Sequence, residues 1–162
     1  MTAPLLDAEP LIHGQTFEEM TVGSAFRTAW RTITESDMVM FRQLTGFTEP
    51  LFLDSRHAGE SGYSGTLVPG MLTFAYAEGL VLQTNVLHGT GIAFMHSEVD
   101  WLAPVYVGDT ISVIVEVTAS RPSKSGGRGV VTTRNTVVNQ RDETVVTYTP
   151  VRMIRGRDFA GR

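Results

Sequence analysis

Apolar positions along the chain follow two periods, and the changes between them mark the elements. Ala25 to Thr34 (AFRTAWRTIT) carries Phe26, Trp30 and other β-friendly side chains in an extended segment and reads as a first strand. Met38, Phe41 and Leu44 then form an apolar row at helical spacing. Thr34 can accept a bond from the exposed amides of that helix, Glu35 and Asp37 suit its positive end, and Gly46 marks its stop. From Phe47 to Val68 glycine and serine interrupt the pattern, which predicts mainly loop, and long loops in compact domains tend to carry function.

Gly70 opens GMLTFAYAEGLVLQ, apolar around most of the helical circumference, and such a helix must be buried. Extended stretches follow at about 92–105, 109–120 and 129–154, the last split by the polar turn Gln140 to Glu143, while SKSGGRG at 123–129 reads as a hairpin turn. In the second stretch Ile111, Val113, Val115 and Val117 alternate with Thr110, Ser112, Glu116 and Thr118, as expected of one covered and one wetter face. A sheet wrapped around one apolar helix is the simplest assembly, an α+β arrangement.

Composition bounds what such a domain does. At 162 residues the chain fits one domain, 1–162, with a core expected over about 17–154 between loose termini. No apolar run approaches the length of a bilayer crossing, and MTAPLLDAEPLIHGQ lacks the basic start and apolar core of a secretory signal, so a cytoplasmic, non-membrane protein is expected. The absence of cysteine removes disulfides, thiolate metal sites and thiol nucleophiles. A net charge of -4 with scattered basic residues offers no stripe for a phosphate backbone, so nucleic acid is not an expected partner. The basic cluster Arg152, Arg155, Arg157 and Arg162 ends the chain and reads as a solvated tail.

Four segments in order resemble the MaoC-like acyl-thioester hydratases and dehydratases. FEEMTVGSAFRTAWRTITESDMVMF is similar to the family's opening, SEVDWLAPVYVGDTI to its strand with an aromatic, AP and a GDT turn, and SKSGGRGVVTTRNTVVNQRDETVVTY to its final hairpin. The fourth, TGFTEPLFLD, is similar to the loop that carries the family's chemistry. The resemblance runs from about Phe17 to Ile154 and implies a hotdog fold, an antiparallel sheet wrapped around a long central helix. It also implies a thioester substrate on coenzyme A or acyl carrier protein, no cofactor, and a homodimer or hetero-oligomer with another hotdog protein. Fold alone does not establish a reaction.

The chemistry-bearing loop departs from that pattern. Gly46, Pro50 and Asp54 keep family positions, but the expected general-base Asp is Phe47, the Asn is Glu49, the His is Phe52, and the His-Gly before the buried helix is Pro69-Gly70. Hydration needs a base for water, an acid for the α-carbon and donors for the oxyanion, and only the donors are visibly kept. Gly70 can bring backbone N–H groups and the helix dipole to a carbonyl oxygen, its missing side chain permitting close approach; otherwise it merely turns the chain.

Glu49 is the best replacement acid or base, because apolar Phe47 and Phe52 beside a carboxyl favour its protonated form; the alternative is a turn cap or a pair with Arg42 or Arg56. Asp54 matches a position that fixes the loop. His57, one helical turn on, is a further catalytic candidate that can equally be a plain exposed histidine. Glu78, inside the buried helix, is similar to the helical carboxylate of some hotdog thioesterases, or simply faces a subunit contact. His96 and Asp100 share a strand face and receive no role. Phe47, Phe52, Phe74 and Tyr76 are expected around the acyl chain, with Asp54, Pro69 and Met71 also at the substrate; core packing explains the aromatics nearly as well.

Three functions therefore compete. One is a hydratase or dehydratase with a rearranged acid/base set. The second is a non-catalytic thioester-binding subunit that pairs with an active homologue. A thioesterase acting through Glu78 or Glu49 is the third, less favoured because the loops resemble hydratases.

Overall fold

The computed structural model describes residues 12–160. Most of the opening segment and Arg162 of the basic tail lie outside them. Six strands form one antiparallel sheet: β1 (Ala25–Arg27), β2 (Arg31–Thr32), β3 (Gly91–Trp101), β4 (Thr110–Pro122), β5 (Arg128–Asn139) and β6 (Thr144–Arg155). The strand order is β1-β4-β5-β6-β3, with β2 also on β4, and the sheet wraps the central helix α3 (Gly70–Gln83). Inward from β4 and from the β5–β6 hairpin, Ile111, Val113, Val115, Val137, Val145, Val146 and Tyr148 meet Leu72, Ala77, Leu80 and Val81 of the helix. Burying these apolar groups supplies most of the driving force for the fold.

The alternation in β4 places Ile111, Val113, Val115 and Val117 inside as expected. Ser112, expected on the wetter face, is also buried, because its hydroxyl donates to the Thr28 carbonyl at 3.1 Å. The same contact explains why the expected first strand is two short ones. Thr28 turns inward and its hydroxyl oxygen accepts from the Val113 amide at 2.9 Å, interrupting the ladder between β1 and β2.

Helix α1 (Glu35–Thr45) begins and ends where its residues dictate. The Thr34 hydroxyl accepts from the Asp37 amide and the Asp37 carboxylate accepts from the Thr34 amide, a capping box. Gly46 closes the helix at φ 73°, a left-handed conformation that costs glycine little, and its N–H donates to the Arg42 carbonyl. The loop 47–68 is more structured than its composition predicts. Pro50–Phe52 form a 3-10 turn, and the short helix α2 (Ser55–Glu60) is capped by the Asp54 carboxylate accepting from the Arg56 amide at 3.0 Å.

Helix α3 is buried on one flank only. Met71, Ala75 and Leu82 on its other side are exposed in the single chain, and β3 has no buried residue along its length. Strand β3 is an edge, paired to β6 on one side only, and it carries exposed Ile92, Phe94 and Met95.

Candidate active site

At the start of α3 the chain is held by a neighbouring loop. The Val68 amide donates to the Val105 carbonyl at 2.8 Å and the Val107 amide to the Thr66 carbonyl at 3.0 Å, so segment 66–68 runs beside 105–107. Pro69 then begins the helix, and its carbonyl accepts from the Leu72 amide at 2.9 Å and the Thr73 amide at 3.1 Å. The amides of Gly70 and Met71 have no partner among the described residues. They sit at the positive end of the helix dipole, a place suited to an electron-rich oxygen.

A cavity of about 490 Å³ opens at this point, lined by Gly70, Met71 and Thr73 of α3, by Phe47, Phe52 and Tyr63 of the loop, and by the segment Trp101 to Val105. Leu67, Val68 and Val146 complete it. Phe41, Phe47 and Phe52 stack in a chain with ring centroids 5.2 and 5.9 Å apart. Arg42 ties this wall to α1 by donating to the Phe52 carbonyl at 2.7 Å. No carboxylate, imidazole, ammonium or guanidinium belongs to the lining residues, and Tyr63 is their one titratable side chain.

The structure brings Phe47, Phe52, Gly70 and Met71 together, with Pro69 directly before them. It does not bring Glu49, Asp54, His57, Phe74 or Tyr76 to the cavity lining. Glu49 precedes the 3-10 turn at Pro50 and its side chain is exposed, so Phe47 and Phe52 do not enclose it. Nor does it pair as the alternative expected, since Arg42 bonds Glu35 and the Phe52 carbonyl while Arg56 bonds Asp54. Asp54 caps α2, and the Arg56 guanidinium, 2.7 Å away, holds its carboxyl below the usual range. His57 is exposed on α2. Phe74 lies one turn deeper along α3, edge-on to Tyr148 at 5.1 Å and to Phe94 at 6.4 Å.

Glu78 is also engaged elsewhere: both its oxygens accept from Arg152 Nη2, at 2.6 and 2.7 Å. Arg152 is therefore no solvated tail residue but a buried partner of the central helix. Sequence reasoning missed Tyr63, Thr73 and Trp101 as lining groups; only the aromatic of the strand segment that resembles the family signalled one of them. Gly70 also has a second reason to be glycine. A Cβ there would lie 2.3 Å from Trp101 Nε1, so the indole fills the space that the missing side chain leaves.

One antiparallel sheet around a helix whose uncapped N-terminus opens into an apolar cavity is a hotdog domain. Residues 17–140 match the family model described as MaoC like domain, and the chain belongs to that family. It is 32% identical over 108 residues to an (R)-specific enoyl-CoA hydratase of Rhodospirillum rubrum, covering 67% of this chain and 73% of that protein. It is 32% identical over 149 residues to a beta-methylmalyl-CoA dehydratase of Chloroflexus aurantiacus, covering 90% of this chain and 41% of that protein, so it spans under half of that relative's length.

Among solved structures, a monoamine oxidase regulatory protein of Archaeoglobus superposes with TM-score 0.82 at 33% identity, over 89% of this chain and 96% of that one. A Mycobacterium tuberculosis protein described as a double hotdog fold superposes with TM-score 0.78 at 21% identity, over 92% of this chain and 47% of that one, a likeness of fold alone. These two relatives are by name a hydratase and a dehydratase. Among the described residues no helix is long and apolar enough to cross a membrane, and no group of metal-ligating side chains occurs.

Proposed function

We propose that the chain binds an acyl thioester of coenzyme A or acyl carrier protein and hydrates or dehydrates it at an atypical site. The observation that carries this reading is the pair of unpartnered amides at Gly70 and Met71, open to an apolar cavity. A thioester carbonyl placed there accepts hydrogen bonds that strengthen as its oxygen gains charge, while Phe47, Phe52 and Met71 hold the acyl chain away from water. Proton transfer then falls to Tyr63, the one titratable side chain of the cavity walls.

A second reading, a non-catalytic thioester-binding subunit that completes an active homologue, draws support from one observation: the cavity walls lack any carboxylate or imidazole. In either reading the exposed flank of α3 and the free edge of β3 meet a second hotdog domain, a copy of this chain or a homologue.

Incubating the purified protein with trans-2-decenoyl-CoA and following the enoyl absorbance tests both. Turnover that is lost in Tyr63→Phe supports the enzyme. Saturable binding with no turnover supports the subunit. No binding of decenoyl-CoA or decanoyl-CoA overturns both.

A further inference from the structure

We infer that the indole N–H of Trp101 is a second donor to the thioester carbonyl, working beside the helix amides of Gly70 and Met71. This rests on the thioester reading of the cavity and assigns a carbonyl-binding residue within it.

Trp101 is the last residue of β3, and its indole reaches across to the first turn of α3. Measured from the point where a Gly70 Cβ would stand, Nε1 is at 2.3 Å and the two ring carbons bonded to it at 2.7 and 2.9 Å. Three such similar distances mean that the ring presents its face, with the nitrogen almost overhead. The N–H lies in the ring plane and therefore runs across the helix terminus rather than into it.

That N–H has no hydrogen-bond partner among the described residues, and the indole lines the cavity while remaining half exposed. The backbone beneath it is fixed: Trp101 pairs with Val146, itself a cavity residue, and the Leu102 amide donates to the Val145 carbonyl at 2.9 Å. A donor on an anchored strand end is preorganised, which is what stabilising a developing oxyanion demands.

Chemistry favours the indole over the other polar side chains of the walls. A carbonyl oxygen has two lone pairs in different directions, whereas successive amides in the first turn of a helix point nearly the same way along its axis. A donor entering from the side supplies the missing direction. Among the lining residues the candidates are Tyr63, Thr73 and Trp101. Thr73 is buried with its hydroxyl turned back to the Pro69 carbonyl, and Trp101 is the one whose ring stacks on Gly70.

The test uses decanoyl-CoA with an isotope-labelled thioester carbonyl, read by infrared difference spectroscopy and by calorimetric affinity. On the wild-type protein the carbonyl stretch should fall on binding. Trp101→Phe keeps an aromatic ring without the N–H and should lose a clear part of that shift, with affinity about tenfold weaker. Should this variant fail to fold, benzothienylalanine at position 101 keeps the indole shape with sulfur in place of N–H, and the same loss is expected. A shift unchanged in either variant, even with weaker binding, makes Trp101 a mere wall and overturns the inference. Failure of the wild-type protein to bind decanoyl-CoA overturns instead the thioester reading beneath it.

Discussion

The hydroxyl of Tyr76 on the central helix donates to the Asp37 carboxylate of α1 at 2.5 Å, so the residue that completes the capping box of one helix also tethers the other. Arg31 joins them, 3.2 Å from Asp37 Oδ1 and with its guanidinium 3.9 Å above the Tyr76 ring. The cluster fixes α1, and with it the Phe41–Phe47–Phe52 wall, relative to the helix whose start forms the cavity.

Acid should loosen this joint. Burial alone would raise the Asp37 pKa, but bonds from Tyr76 and Thr34 and the charge of Arg31 outweigh it and bring it down from 3.8 to about 2. A carboxyl depressed on folding contributes stability that is complete above its unfolded pKa and is lost as pH falls through the folded value. The window therefore lies between roughly pH 5 and pH 2, with about 2 kcal/mol at stake. Asp37→Asn should lower the urea midpoint at neutral pH and flatten its decline below pH 5; an acid limb as steep as wild type would show that other carboxyls govern it.

The pairing of Glu78 with Arg152 makes a different prediction. Both side chains are largely withdrawn from water, 16% and 7% exposed, so removing one strands the charge of the other. Arg152→Met should cost about 3–5 kcal/mol in chemical denaturation, whereas Glu78→Leu with Arg152→Met should recover most of it. The double variant should still bind decanoyl-CoA, because neither residue touches the cavity; loss of binding with folding intact would return Glu78 to the site.

These two clusters mark the limit of what the sequence disclosed. Helix α1 was readable from Thr34, Asp37 and Gly46 because caps are local chemistry, and α3 from its apolar circumference. The break at Thr28 was not, since it depends on a side chain replacing a backbone partner on a strand 85 residues away. The resemblance located Phe47, Phe52, Gly70 and Met71 near one another. Tyr63 reaches the same cavity only through the path of the folded chain, and the outward turn of Glu49 follows from backbone geometry at Pro50 that spacing alone does not encode.

Contact between Gly70 and Trp101 can be tested apart from any ligand. Gly70→Ala places a methyl group where the indole face lies, and the ring must move. Alanine's helix preference offsets part of that strain, so a net loss of about 1–2 kcal/mol is expected in thermal or urea unfolding. Adding Trp101→Ala should remove the penalty of the Gly70 change. Equal costs for Gly70→Ala with and without the indole would mean that the two residues do not press on each other in solution.

The free edge of β3 makes the last prediction, about assembly. An exposed strand presenting unpaired backbone groups, with Ile92 and Met95 at 38% and 50% exposure, invites pairing with another chain. Met95 falls where the register with β6 shifts, between Phe94 and His96, so its replacement disturbs the β3–β6 ladder little. Met95→Lys with Ile92→Lys puts two charges on that edge without emptying the core around α3. If the edge joins a second copy, the wild-type protein sediments as a dimer and this variant as a folded monomer of unchanged circular dichroism. A dimer that survives both charges would place the contact elsewhere, and a wild-type protein that is monomeric at all concentrations would leave a homologous domain as the partner proposed for the apolar flank of α3.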